Sequence, residues 1–365
     1  MRVAVVAAVT SQHRETERRW RTRRTAELLA ARGLDVVVCC ARWWGATGSF
    51  VDEEAGVRYR AVAPTPGSPG FGTRVAAAVR DADPAVVHAV HDRPRHALGG
   101  AVGARLAGAP LVLDWYDTTV PRPDRGPLAG AVTPARRWVA RQAVRAADAV
   151  TVPSRTVGTH VQSVGDPARL RSVPNGIEFD RVRAVEPDGD AEIVTSGRLD
   201  ATADLEGLLL ALAEFREYDW RATVVGDGPA RRAFERSAAD LRIDDRVAFD
   251  GDLGLDERLA RFKAAHVYVH TATRTPFATD LLRAMACGCV GVVEYHEQSS
   301  AHELVEQRER GFRVTTEAEL VETLGTAGEL ERLDRDDSFA EFDEREVVRQ
   351  YLDCYREVGA VADSP

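Results

Sequence analysis

Two apolar patterns alternate along this chain. Short, nearly continuous apolar runs bounded by polar or Gly-Pro turns read as buried strands, and the stretches between them space apolar residues at helical intervals. In the first half the strand runs are Val3–Val9, Asp35–Cys40, Ala85–Ala89, Pro110–Trp115 and Ala149–Val152. Helices are predicted over Arg21–Arg32, with Gly33 placed to end it in a left-handed turn, and from about Thr133 to Ala147. In the second half the strand runs are Ala191–Thr195, Arg221–Val225, Val247–Asp250, Val267–His270 and Val290–Val293, each followed by a helical stretch. Glu186–Asp190 reads as a polar surface loop, and Phe342, Val347, Val348, Tyr351 and Tyr355 mark a last helix over Glu341–Val358. Such alternation belongs to parallel sheets covered by helices. The expected class is α/β with two Rossmann-like domains, 1–170 and 171–340, followed by a tail helix in 341–365. No solenoid repeat or low-complexity tract breaks the pattern.

Size and composition agree with two domains. The 365 residues are 44% hydrophobic and 29% charged, ordinary for a chain that buries a core. No apolar run is long enough to cross a bilayer, and MRVAVVAAVTSQHRE reads as a first strand rather than a signal peptide. The five cysteines are odd in number and scattered, so reduced thiols in a cytosol are expected. Cys287-Gly-Cys289 has no second ligand pair at zinc spacing, so no metal is predicted there. Charge divides the chain. Residues through Arg171 carry 25 basic against 15 acidic side chains; the remainder carries 23 against 42. Lys263 is the sole lysine. A basic first half and an acidic second half imply different partners.

Two open α/β domains that face each other offer a cleft at the carboxyl ends of their strands. In the second half the turns there are glycine-rich. Ser196-Gly197-Arg198 follows one predicted strand, and Gly226-Asp227-Gly228-Pro229 follows the next. Glycine lets a ligand approach bare backbone, and arginine suits a bidentate grip on phosphate. Pro174-Asn175-Gly176-Ile177, Ser196-Gly197-Arg198-Leu199, Gly226-Asp227-Gly228-Pro229 and Ala284-Met285-Ala286-Cys287-Gly288, in that order, resemble family 4 (group 1) glycosyltransferases of the GT-B fold. The likeness covers nearly the whole chain.

The resemblance implies metal-independent, retaining transfer of a sugar from a nucleoside diphosphate, with no cofactor beyond that co-substrate. It places the donor in the second domain, the acceptor mostly in the first, and the tail helix back on the first. Arg198 matches the arginine that neutralises the diphosphate, Gly226 and Gly228 the glycines beside the nucleotide, and Glu303 the glutamate opening the helix after the donor loop. Gly197, Asp227, Phe277, Ser299 and Ser300 fall in the same donor loops. The chain also departs from the family. Its lysine is absent from Ala203 and Asp204, and the two glutamates of the E-x7-E motif are replaced by Thr275 and Arg283. Its His-Asp is replaced by Tyr116-Asp117, and its glycine-rich first turn by Thr10-Ser11-Gln12-His13-Arg14. Arg283 offers donors where an acceptor is usual; pairing with Asp280, contact with a donor phosphate and closure of the site remain open.

In the first domain, His91, Asp92, Arg93 and Arg95 follow a strand within His88-Ala-Val-His91-Asp-Arg-Pro-Arg-His96, at a spacing poor for metal. Asp114 and Asp117 flank Trp115-Tyr116 at the next strand end. His91, Asp114 and Asp117 are the candidate catalytic groups, with Trp115 and Tyr116 either stacking on a sugar or packing together. His13, Arg14, Arg93 and Arg95 are candidates for acceptor or phosphate. Two arginine-rich helices with a tryptophan, around Arg18–Arg24 and Arg136–Arg145, fit either a solvated face or docking on anionic lipid at the inner face of a membrane. No nucleic-acid motif accompanies them. The expectation is a cytoplasmic glycosyltransferase acting on a glycan or lipid-linked acceptor, such as a cell-surface polysaccharide or glycoprotein precursor. The alternatives are an inactive relative that binds a glycan or supports a partner and, more weakly, a sugar-nucleotide epimerase.

Overall fold

The computed structural model describes residues 1–45, 48–52, 55–118 and 129–360. They divide into two compact units, Met1–Pro174 with Arg345–Pro365, and Asn175–Glu344.

The first unit contains β1 (Arg2–Val6), α1 (Glu17–Ala31), β2 (Asp35–Ala41), β3 (Phe50–Asp52), β4 (Val57–Ala63), α2 (Phe71–Ala82) and β5 (Val86–Val90). It continues with α3 (Pro94–Ala107), β6 (Leu111–Asp114), α4 (Ala129–Ala146), β7 (Ala149–Val152), α5 (Arg155–Val164) and β8 (Leu170–Ser172). The sheet order is β3-β4-β2-β1-β5-β6-β7-β8, parallel except for β3. Along β1, Val3 and Val5 join one core cluster while Ala4 and Val6 join the other. Helices thus cover both faces, and the buried strands read as apolar runs rather than alternating ones.

The second unit contains α6 (Phe179–Ala184), β9 (Ile193–Ser196), α7 (Leu205–Glu214), β10 (Ala222–Val225), α8 (Arg231–Asp240), β11 (Val247–Gly251), α9 (Leu255–Ala264) and β12 (Val267–His270). Next come β13 (Arg274–Thr275), α10 (Thr279–Ala286), β14 (Val290–Glu294), β15 (Gln298–Ser299), α11 (His302–Val305), β16 (Gly311–Val314) and α12 (Glu317–Gly328). Six parallel strands run β11-β10-β9-β12-β14-β16, and β13 pairs with β15 apart from them. The last helix, α13 (Glu344–Glu357), belongs to the first unit from Arg345 onward. There Val347, Val348, Tyr351 and Tyr355 bury against β1, β2 and β5, and the Tyr355 hydroxyl lies 2.8 Å from His88 Nδ1.

Several boundaries differ from the sequence reading. The first strand stops at Val6, and α1 starts at Glu17, earlier than Arg21, behind Thr16 in extended conformation. The first unit runs to Pro174, past 170, because β8 adds an outer strand to its sheet. Each sheet reverses the order of its parallel strands once, between β1 and β5 and between β9 and β12. In open α/β sheets these reversal points gather ligand-binding loops.

Candidate active site

In the second unit the loops after β9 and β12 stand side by side at the reversal. Thr273 N donates to Thr202 O at 3.0 Å, and Thr271 Oγ1 to Ala203 O at 2.7 Å. Gly197 opens the first loop at φ 151°, and a Cβ there would meet nothing within 4 Å. Arg198, beside it, keeps 61% of its side chain exposed, with Nε 3.3 Å from Asp200 Oδ2. Burial alone would raise the Asp200 carboxyl, but hydrogen bonds from Thr202 N and Oγ1 and the Arg198 charge hold it lower. An exposed guanidinium beside uncovered backbone is a ready place for an anion.

Gly226 and Gly228 are required where two turns of the chain meet. A Cβ on Gly226 would stand 1.9 Å from Gly197 O, and one on Gly228 would stand 2.2 Å from Leu199 O. The two turns lie backbone to backbone, held by Leu199 N to Asp227 O at 3.0 Å and Ala230 N to Leu199 O at 2.9 Å. These glycines let the protein approach itself. Asp227 turns its carboxylate onto Gly228 N at 2.6 Å.

The loop after β12 is zipped by β13 and β15, which set Thr275 opposite Ser299. Ser300 N donates to Thr275 O at 2.8 Å, Ser300 Oγ to Pro276 O at 2.7 Å, and Glu303 N to Ser300 O at 3.0 Å. Thr275, Phe277, Ser299, Ser300 and Glu303 are therefore brought together. Phe277 is buried, and Ser299 Oγ is shielded with no hydrogen-bond partner among the described residues. Thr275 Oγ1 lies 3.1 Å from His270 Nε2, and burial brings His270 down to about 4.

Arg283 does not serve as a donor-binding arginine. It is buried between two carboxylates, Asp280 Oδ1 and Glu178 Oε2, each 3.1 Å away. Asp280 also accepts from Arg258 at 2.8 Å and from Ser196 Oγ at 2.9 Å. Of the three alternatives left open, pairing with Asp280 is the one formed. A buried guanidinium requires such partners, since desolvating it unpaired is costly. Glu178 carried no sequence signal, because its role depends on a partner about a hundred residues away, Arg283. Among the described residues one group offers metal-ligating atoms all within 4.8 Å of one another: Asp204, Glu294 and His296. Burial, then the charges of Asp204 and Glu317, raise Glu294 against the pull of His296. Asp204 holds one of the places where the family lysine is expected.

In the first unit the candidates separate into buried and exposed sets. Asp114 is not placed for catalysis. It is buried and accepts from Thr151 Oγ1 at 2.8 Å, Arg21 at 3.4 Å and Tyr351 at 3.4 Å. Arg21 in turn donates to Val173 O and Pro174 O. The Asp114–Arg21 pair is a structural tie linking α1, β6, β7 and α13. Trp115 and Tyr116 are buried, so their packing role holds and stacking on a sugar does not. His91 lies flat on Trp115, with ring centroids 3.6 Å apart, and burial brings it to about 4. Asp117 is half-buried and its carbonyl accepts from the Trp115 indole at 2.9 Å. Asp92 pairs with His96 at 3.3 Å, while Arg14, Arg93 and Arg95 are exposed. His13 turns inward, its Nδ1 accepting from Thr10 N at 3.2 Å. His160, which sequence reading missed, approaches Trp115 at 6.1 Å.

The comparisons bear on this geometry. The "Glycosyl transferase 4-like domain" model matches residues 19–176, and the "Glycosyl transferases group 1" model matches 176–336. The 2-deoxystreptamine glucosyltransferase of Streptomyces kanamyceticus is 28% identical over 216 residues, 52% of this chain. That match spans about half the curated relative, 54% of its length. Sucrose-phosphate synthase from Thermosynechococcus elongatus superposes with a TM-score of 0.75 at 18% identity, over 99% of this chain and 100% of that one. Anabaena HepE in complex with UDP-glucose gives a TM-score of 0.71 at 17% identity, over 98% and 100%. The two models run end to end over residues 19–336: the chain belongs to the family 4, group 1 glycosyltransferases, and its fold is the GT-B fold.

Proposed function

We propose that the chain transfers a sugar from a nucleoside diphosphate to a hydroxyl acceptor, with retention and without a metal. The observation that carries this reading is Arg198, 61% exposed beside the uncovered backbone of Gly197 at the reversal point of the second sheet. Arg198 meets the charge that develops on the departing diphosphate, which is where a fixed donor lowers the barrier. The C1–O bond to the phosphate breaks as the acceptor oxygen bonds to C1. The acceptor proton passes to the leaving phosphate oxygen, so no protein base is required. The first unit supplies the acceptor groups, and its basic helix α4 supplies a contact with anionic lipid. Likeness to HepE, crystallised with UDP-glucose, makes UDP-sugars the first donors to try.

Nucleoside diphosphate release across UDP-, GDP- and dTDP-sugars tests this. Arg198→Ala is expected to lower kcat/KM by about 10²–10³, the cost of removing one charge-stabilising donor. No turnover and no binding across that panel would sink the proposal. Arg283, occupied by Glu178 and Asp280, gives no support to an inactive relative whose arginine plugs the donor pocket.

A further inference from the structure

β14 ends on Glu294, and His296 follows two residues later, where the chain turns toward β15. Asp204, from the loop after β9, meets both. His296 Nε2 stands 3.6 Å from Glu294 Oε1 and 3.9 Å from Asp204 Oδ2, and all three ligand atoms lie within 4.8 Å of one another. These gaps are too long for hydrogen bonds. They are close to the roughly 3–3.5 Å that separates ligand atoms around a zinc ion bound at about 2.0–2.2 Å. His296 Nε2 is shielded and has no hydrogen-bond partner among the described residues. Asp204 stands at the N-cap of α7, yet its side chain makes no capping bond there.

Among the described residues, His296 is the only basic side chain at ion-pair distance from either carboxylate. Glu317 adds a third negative charge nearby: a Cβ on Gly207 would stand 3.9 Å from Glu294 Oε2 and 4.0 Å from Glu317 Oε1. Burial and the charges of Asp204 and Glu317 raise the Glu294 carboxyl in spite of His296, so the imidazole does not offset them. The Asp204 side chain is 41% exposed and opens the group to solvent, which gives an ion a way in. One imidazole with two carboxylates suits a borderline divalent ion, whereas magnesium and calcium take oxygen ligands. We propose that Asp204, Glu294 and His296 bind one zinc-class divalent cation, with water in the remaining position. In the sheet β12 lies between β9 and β14. The ion therefore clasps the loops on either side of β12, fixing the start of α7 to the end of β14. The loop after β12 is already tied to the same segment through Thr202 and Ala203. The role is structural. Transfer as proposed above draws on Arg198 and needs no ion here, so the two readings stand or fall separately.

Zinc chloride titrated calorimetrically into the full chain, after treatment with EDTA, tests the site. The expected result is one zinc per chain and a raised melting temperature, with no such rise from magnesium or calcium chloride at the same concentration. Asp204→Asn, Glu294→Gln and His296→Ala should each weaken zinc binding at least about tenfold, since even the outer partners of a metal ligand cost about 10–100-fold. No zinc uptake, a response to magnesium equal to that to zinc, or unchanged affinity in all three variants overturns the inference. Should the variants not fold, cobalt in the wild-type chain decides. Its spectrum should lack a thiolate charge-transfer band, and the presence of that band would move the ion to the cysteines and overturn the site. A chain that takes up zinc but turns over no sugar nucleotide keeps this site and loses the proposed function; turnover without zinc uptake does the reverse.

Discussion

At the scale of single residues, side chains that the sequence places alike differ in burial and in partners. Arg198 and Arg283 are both arginines at positions matched to the donor site, yet one is exposed and the other is closed between Glu178 and Asp280. Asp114 and Asp117 flank the same aromatic pair, yet Asp114 is consumed by Arg21, Thr151 and Tyr351. Part of what separates the members of each pair arrives from distant segments, Glu178 for Arg283 and Arg21, Thr151 and Tyr351 for Asp114, while Asp280 lies only three residues from Arg283. The glycines divide in the same way and give a direct test. Gly226→Ala combines φ 130° with a Cβ 1.9 Å from Gly197 O, so strain and overlap together should cost about 3–5 kcal/mol. Gly197→Ala has only its φ of 151° to resist, about 1–2 kcal/mol. Denaturant unfolding of the two variants checks the order. Equal losses would show that the two turns do not depend on their backbone contact.

At the scale of elements, the central strands were legible, and of the edge strands only β11 was read. Val267–His270 and Ala149–Val152 were read to the residue, because strands buried on both faces are unbroken apolar runs. The edge strands β3, β8 and β16 and the next-to-edge strand β4 escaped, β4 because Arg58 and Arg60 interrupt VRYRAVA toward solvent. The two-residue pairing of β13 with β15 has no signature of its own, though it shapes the loop after β12. Among helices, α4 stands apart. Its sequence AGAVTPARRWVARQAVRA holds no acid, and Arg137, Trp138, Arg141 and Arg145 are exposed, Trp138 by 61%. An exposed tryptophan among arginines suits an anionic bilayer, each arginine near the surface adding about 1 kcal/mol. The full chain should therefore sediment with phosphatidylglycerol vesicles and not with phosphatidylcholine, and added salt should release it. Arg137→Glu with Arg145→Glu should weaken that binding at least about tenfold. Equal binding to both vesicle types would leave α4 as a solvated face.

At the scale of the whole molecule, both units bury histidine where a folded chain must keep it neutral. His91 in the first and His270 in the second are each brought to about 4, burial being the first cause in both. Unfolding returns them to about 6.5, so between those values the unfolded chain binds protons that the folded chain refuses. The sign follows. Stability is fully present above about pH 6.5 and is lost as pH falls toward 4, by up to about 1.4 kcal/mol per pH unit for each histidine. The carboxylates of Asp92, Asp114 and Asp280 are held lower than usual, so their contribution goes only at more acid pH. Calorimetric scans from pH 7.5 to 4.5 should show melting temperatures falling before those carboxylates titrate. With two units the melt need not be a single transition, which makes the effect assignable. His270→Gln should lessen the pH dependence of one transition and leave the other as steep as before, and His91→Gln should do the reverse, while His88, His160 and His266, also lowered by burial, carry part of the remainder. Melting temperatures level from pH 7 to 5 would mean that these imidazoles take up protons without unfolding, and that neither is as enclosed as its packing indicates.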